Sequence, residues 1–269
     1  MPTARILRPA ARHGCLRLPH SALLTRRHIT TPITTSPLNL TLANPYLDLT
    51  PHSHAPLPAP SSLTIFPNFL SQDTQFRLAT LAEKKLRRLC GKAFWAGHFD
   101  GVTKEYRECS VRSWGVGVGG GDDVRDVGDE DLPGWVLGRV KRTVEAEVGS
   151  TSADAGGADG KIQWLDPHIL ELAENGEIRA HVDNVEASGS IVTGLCLLSP
   201  AVMIFRKVSD SSTSFTALME PGTLYVQRDA LRYDYTHEIP VDGQLRMFRG
   251  SPVPRGRRIS IMMRDALKG

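Results

Sequence analysis

Three side chains of the right chemistry occur in an order that suits a transition-metal site: His181 and Asp183 in IRAHVD, and His237 in RYDYTHEI. In an extended chain, residues two apart project from the same face, so His181 and Asp183 face one way and Val182 the other. A third ligand from a distant strand would complete two imidazoles and one carboxylate on one face of an octahedral Fe(II), leaving three positions open for a cosubstrate and oxygen. A bare His-x-Asp is common by chance, and the weight comes from RRISIMMRD further on. Alternation there puts Arg258, Ser260, Met262 and Arg264 on one strand face. Two guanidiniums are costly to bury without an anion, and a dicarboxylate supplies one. Arg258 is the first candidate to fork onto its far carboxylate, with Arg264 the second.

Such ligands need strands to hold them. After Lys161 the chain reads as short strands separated by turn signals, at about 162–173, 177–183, 189–198, 201–207, 214–219, 222–227, 230–239 and 257–264. Asn175-Gly176, Ser199-Pro200, Pro221-Gly222 and the 240–256 stretch separate them. Strands of this number and length predict a mainly β, α+β fold: a double-stranded β-helix, or jelly roll, with two preceding helices packed outside one sheet. The first helix spans about 71–90, with Ser71 as N-cap, Phe76, Ala79, Ala82, Leu86 and Leu89 on one face, and Gly91 as terminator. The second spans 132–148, with Pro133 in its first turn and Val136, Val140 and Val144 on one face. Residues 105–115 read as a strand. The glycine run after it lacks the Gly-Lys-Ser/Thr ending of a phosphate loop and reads as a loop, as does STSADAGGADG.

HVD, then RYDYTHEI, then RRISIMMR resembles the AlkB family of Fe(II)/2-oxoglutarate dioxygenases across roughly 65–265. Within it, TGLCLLSPAVM, EPGTLYVQRDALRYDYTHEI and PRGRRISIMMR are most similar to the mitochondrial branch known as AlkB homologue seven. The resemblance implies His181, Asp183 and His237 as iron ligands, Arg258 as cosubstrate anchor and Arg264 as the other motif arginine. It also implies Tyr225 in the cosubstrate pocket, and oxidative decarboxylation of 2-oxoglutarate with O2 coupled to hydroxylation of a further substrate. The sequence departs from the family where Leu170 and Leu172 stand for an Asn and a Tyr that bond the cosubstrate, and where Ser260 and Met262 replace a more polar pair. Glu238 follows the last ligand where much of the family has Gly.

Other histidines carry bland readings: His168 as an ordinary strand residue, His98 as a loop residue, and His52 and His54 as part of a Pro-rich segment without carboxylates nearby. Cys15, Cys90, Cys109 and Cys196 have no zinc-ligand spacing and read as free thiols.

The charge is uneven along the chain. Residues 1–40 contain six arginines and no acid, the composition of a mitochondrial transit peptide, so that removing them takes the net charge from +3 to −3. The expected organisation is therefore a transit peptide over 1–40, a Pro-rich linker over 41–62, and the catalytic domain over 63–269, in the mitochondrial matrix. No run approaches the length of a membrane-spanning helix. Slightly negative charge in the mature domain and few aromatic residues favour a protein or small-metabolite substrate over a nucleic acid. Organellar tRNA demethylation is the alternative, supported by the cluster Arg246, Arg249, Arg255 and Arg257. An iron-binding interaction module without turnover is the reading from another class.

Overall fold

The computed structural model describes residues 36–50, 56–112, 114, 127–151 and 162–267. The transit peptide expected over 1–40 is described only from residue 36, and His52, His54, the whole glycine run and residues 152–161 fall outside the described residues. The strands are β1 (Leu38–Asn39), β2 (Leu47–Asp48), β3 (Leu63–Phe66), β4 (Trp95–Gly97), β5 (Thr103–Ser110), β6 (His168–His181) and β7 (Ile191–Leu197). They continue with β8 (Ala201–Lys207), β9 (Asp210–Met219), β10 (Leu224–Arg228), β11 (Tyr235–Ile239), β12 (Met247–Phe248), β13 (Ser251–Pro252) and β14 (Arg258–Arg264). Three α-helices accompany them: α1 (Gln72–Cys90), α2 (Leu132–Thr151) and α3 (Asp229–Tyr233). Among the described residues no helix is long and apolar enough to cross a membrane.

One antiparallel sheet runs in the order β1-β3-β10-β7-β14-β6-β11-β8-β9-β2 and rolls on itself. The roll turns on β6. Residues 168–172 of that strand pair with β14, whereas Ile178 and His181 pair with β11, so β6 leaves one wall and enters the other. β5 runs along its remaining edge. Asn175-Gly176, expected to turn the chain between two strands, instead lies inside β6. The backbone of Lys104 and Glu105 crosses so close that a Cβ on Gly176 would sit 2.6 Å from the Glu105 carbonyl oxygen. Glycine is needed there for the approach of β5, where the register also shifts.

Alternation along the strands builds two cores. Leu170, Leu172, Cys196 and Tyr225 face inward and meet Phe205, Phe215, Ala217 and Tyr235 from the opposite wall, forming the jelly-roll interior. Their neighbours Ile169, Leu195, Leu197, Val226, Ile259 and Ile261 face outward and are covered by α1 and α2. Each fully buried Leu, Val or Ile contributes roughly 1.5–3 kcal/mol.

Helix α1 begins where Ser71 Oγ accepts from Thr74 N at 3.3 Å and ends at Gly91, whose φ of 81° is left-handed. Its buried stripe is Thr74, Leu78, Ala79, Ala82 and Leu86. Phe76, expected on that face, is exposed, as is Leu89. At about 100° per residue Phe76 lies about 120° around the helix from Ala82, beyond the stripe a flat sheet can cover. Helix α2 buries Val136, Val140 and Val144 as expected. Segment 230–239, expected as one strand, starts instead with α3, and only its second half is β11.

Of the linker expected over 41–62, residues 41–50 and 56–62 are described, and the first part is packed rather than extended. Leu40, Leu47 and Leu49 are buried, and the Asn44 amide donates to the carbonyls of Leu38 and Asn39 at 3.1 and 3.0 Å, fixing a tight turn. β1 then pairs with β3 and β2 with β9, so this stretch ties together the free edges of both walls. The apolar anchors outweigh the prolines around them. An import segment that leaves β1 in place must end before Leu38.

Candidate metal centre

His181 at the end of β6 and His237 in β11 are register partners across the point where the sheet rolls. Their rings lie 4.3 Å apart between centroids. Asp183 follows two residues after His181, and its Oδ1 is 3.3 Å from His181 Nε2 and 3.8 Å from His237 Nε2. One ligand atom from each of the three residues falls within 4.8 Å of the others. The sequence-predicted triad is therefore brought together.

The surroundings set the protonation of these groups. His181 Nδ1 lies 2.8 Å from the Arg179 carbonyl and donates to it, leaving the Nε2 lone pair directed at the centre. Burial pulls the His181 imidazole down, but the Asp183 carboxylate and the Arg179 carbonyl outweigh it and the net direction is up. Among the described residues His237 has no such hydrogen bond, and burial pushes it down to about 4. Burial pushes Asp183 up, yet His181, Arg264 and His237 together hold it well below the usual carboxylate range. At neutral pH the set offers a carboxylate and a neutral His237, the forms that bind metal.

Arg264 and Arg258 share the inward face of β14. Arg264 Nε donates to Asp183 Oδ2 at 3.0 Å, so one arginine reaches the triad directly. Arg258, six residues earlier, is buried in the interior. It donates to the Ser260 hydroxyl and, at 3.4 Å, to Cys196 Sγ, while its Nε has no partner among the described residues. Tyr225 lies between the two ends: burial pushes its hydroxyl up, Cys196 and Asp183 add to this, and Arg258 and Arg264 oppose it. Its ring rests on Gly194, where a Cβ would come within 2.5 Å of Tyr225 Cζ.

No protein-family model matches the chain. It is 34% identical over 206 residues to the Mus musculus protein named alpha-ketoglutarate-dependent dioxygenase alkB homolog 7, mitochondrial, covering 76% of this chain and 79% of the mouse one. The Bos taurus protein of the same name is 30% identical over 203 residues, covering 76% and 78%. The chain belongs to the AlkB-like 2-oxoglutarate-dependent dioxygenases. Among solved structures OsALKBH1 shares its fold, with a TM-score of 0.50 at 17% identity over 78% of this chain and 98% of that one.

An AlkB-like dioxygenase works with Fe(II) and 2-oxoglutarate, and the residues present fit both. Three metal-ligating side chains converge with their ligand atoms within 4.8 Å of one another, and the unpartnered buried Nε of Arg258 leaves a cation in the interior that calls for an anion. The Leu170 and Leu172 departures from the family pattern sit in the same interior as apolar wall.

Other polar residues are placed elsewhere. His168 Nε2 pairs with Glu108 at 2.9 Å, and His98 Nδ1 with Asp100 at 2.8 Å. Glu238 pairs with Arg206. The arginines of the 246–257 cluster are mostly bound to backbone or carboxylate. Arg249 donates to the Leu47 carbonyl, Arg255 to those of Glu174, Pro240 and Gly176, and Arg257 to Glu171 and Glu83. They staple the 240–256 stretch to the walls. An open cavity of about 810 Å³ between Arg246, Arg255 and Glu174 contains none of the triad in its lining.

One site-adjacent residue escaped the sequence reading. Arg232 of α3 is buried against the loop that carries Asp183 and donates to the Asp183 carbonyl at 2.9 Å. Alternation over a presumed strand at 230–239 puts 232 on the face away from His237, which hid it. The short helix reverses that placement.

Proposed function

We propose that this chain is a mitochondrial enzyme that couples oxidative decarboxylation of 2-oxoglutarate, with O2, to hydroxylation of a protein or small-metabolite substrate. In this reading His181, Asp183 and His237 hold Fe(II), while Arg258, Arg264 and Tyr225 receive the cosubstrate. The observation that carries it is the convergence of the three donor atoms in a chain with the Arg258 guanidinium buried in the same interior.

Iron and 2-oxoglutarate bound here supply the oxidising chemistry. The chain's own residues prepare the place for it. Asp183 offers Oδ1 to the centre because Arg264 takes Oδ2. His181 is oriented by its Nδ1–H on Arg179. Arg258 offers a guanidinium to the far carboxylate of the cosubstrate, with Ser260 and Cys196 fixing its direction. Leu170, Leu172 and Tyr225 line the interior and keep water from it.

The substrate class is favoured by the basic cluster's engagement: Arg249, Arg255 and Arg257 spend their donors on the chain itself, leaving little for a phosphate backbone. The names of the mouse and bovine relatives and the acid-free arginine-rich start of the chain support the mitochondrion.

The test is succinate formation by purified protein with Fe(II), 2-oxoglutarate and O2, beside His181→Ala. Turnover in the wild type and none in the variant is expected. Absence of turnover with and without mitochondrial extract as substrate source would leave the iron-binding interaction module instead.

A further inference from the structure

The strand ladder that fixes His181 stops there, and Asp183 lies in the loop beyond it, so its backbone has no sheet partner. Arg232 supplies what the sheet does not. Its Nη1 donates to the Asp183 carbonyl at 2.9 Å, and its Nη2 to the Asn184 carbonyl and the Ser188 hydroxyl, both at 3.2 Å. The far end of the same loop is tied down separately, where Asp265 accepts from the backbone of Ser190 and Ile191.

Arg232 is 1% exposed and, among the described residues, has no carboxylate partner. Its remaining contact of note is with the Tyr233 ring at 5.2 Å. A buried cation held only by neutral acceptors is costly, and an apolar side chain fills such a space at less cost. It cannot touch a substrate, because it is sealed from solvent and both its Nη atoms are engaged. It stands five residues before His237, so the element that delivers one candidate ligand also grips the peptide carrying another.

We infer that Arg232 is a positioning residue for the metal centre, binding the Asp183 peptide to the His237 segment so that the spacing of the two ligands is set before an ion arrives. The inference rests on the reading of His181, Asp183 and His237 as the metal site. Arg264 orients the Asp183 side chain and Arg232 its main chain. The planar fork matters as well as the charge, since three acceptors at fixed angles match a guanidinium and not an ammonium.

The test is calorimetric titration of the full chain with Mn(II), as an air-stable stand-in for Fe(II), for wild type, Arg232→Met, Arg232→Lys and Ser188→Ala. Thermal unfolding of each metal-free protein is measured alongside. Partners of metal ligands change affinity by about 10- to 100-fold when removed. Weakening of that order is expected in Arg232→Met, with Arg232→Lys restoring it only in part and Ser188→Ala weaker than wild type by a smaller factor. The bound Mn(II) electron-spin resonance line shape should also change in the Arg232 variants. Lowered melting temperatures with unchanged Mn(II) affinity and line shape would overturn the inference and leave Arg232 a packing residue. If Arg232→Met does not fold, the lysine and Ser188 variants decide by the same criterion. Failure of the wild type to bind Mn(II) would overturn the site reading itself, and this inference with it.

Discussion

The Asp183 carboxylate is divided between two tasks: Oδ1 faces both imidazoles, and Oδ2 accepts from Arg264 Nε at 3.0 Å. The guanidinium thereby selects which oxygen is presented to the centre, and it lies on the strand that also carries Arg258. In Arg264→Met the carboxylate is free to rotate, and the affinity for Fe(II) is expected to fall by about 10-fold or more. Anaerobic Fe(II) titration measures this. Unchanged affinity in the variant would mean that the pair is structural only.

The contact of Tyr225 with Gly194 gives a second expectation. A methyl group on Gly194 would overlap the Tyr225 ring and push it into the interior. Overpacking of this kind costs about 1–3 kcal/mol. Gly194→Ala should therefore raise the KM for 2-oxoglutarate while Fe(II) affinity, set by β6, the loop after it and β11, stays near wild type. Steady-state kinetics with succinate readout separates the two, and equal loss in both would mean that the ring does not border the cosubstrate alone.

Glu171 is fully buried on the outer face of β6, where it accepts from Arg107 at 2.9 and 2.6 Å and from Arg257. Arg107 is also buried. Removing the shared carboxylate in Glu171→Ala strands a buried cation, and a loss of about 3–5 kcal/mol is expected. Urea denaturation of the metal-free chain tests this; a change under about 1 kcal/mol would show that the pair is balanced by its desolvation.

Burial, with Cys90 beside it, pushes the Cys109 thiol up to about 11. A raised thiol pKa means less thiolate at any pH below it, so alkylation of Cys109 in the folded protein should climb about tenfold per pH unit from 8 to 10. An ordinary thiol levels off near 9. Mass-spectrometric rates at Cys109, against the urea-unfolded chain as reference, give the comparison, and a plateau near pH 9 would contradict the burial.

The parts of this fold that follow from local rules were legible in the sequence. Ser71 and Gly91 bounded α1 because capping is a matter of a few adjacent residues. The triad was legible from the types, order and spacing of His181, Asp183 and His237, although β6 ends at His181 and a loop rather than strand alternation places Asp183. What failed depended on distant partners. Gly176 looked like a turn until the Glu105 backbone crossed it, and Phe76 looked buried until the width of the sheet was set. Leu40 fell at the end of the expected transit peptide and Leu47 in the Pro-rich stretch, and the short strands beside them pair with the open edges of β3 and β9. Arg232 was hidden for a local reason, since a five-residue helix replaced the strand expected there.

The central claim is that His181, Asp183 and His237 hold iron while Arg258 anchors 2-oxoglutarate. Anaerobic titration of the protein with Fe(II) and then 2-oxoglutarate, followed by visible absorption, tests it most directly. A weak charge-transfer band is predicted in the wild type, absent in His181→Ala and appearing only at much higher 2-oxoglutarate in Arg258→Met. A well-folded wild type that shows no band at any concentration, or an Arg258→Met protein indistinguishable from it, would contradict the account.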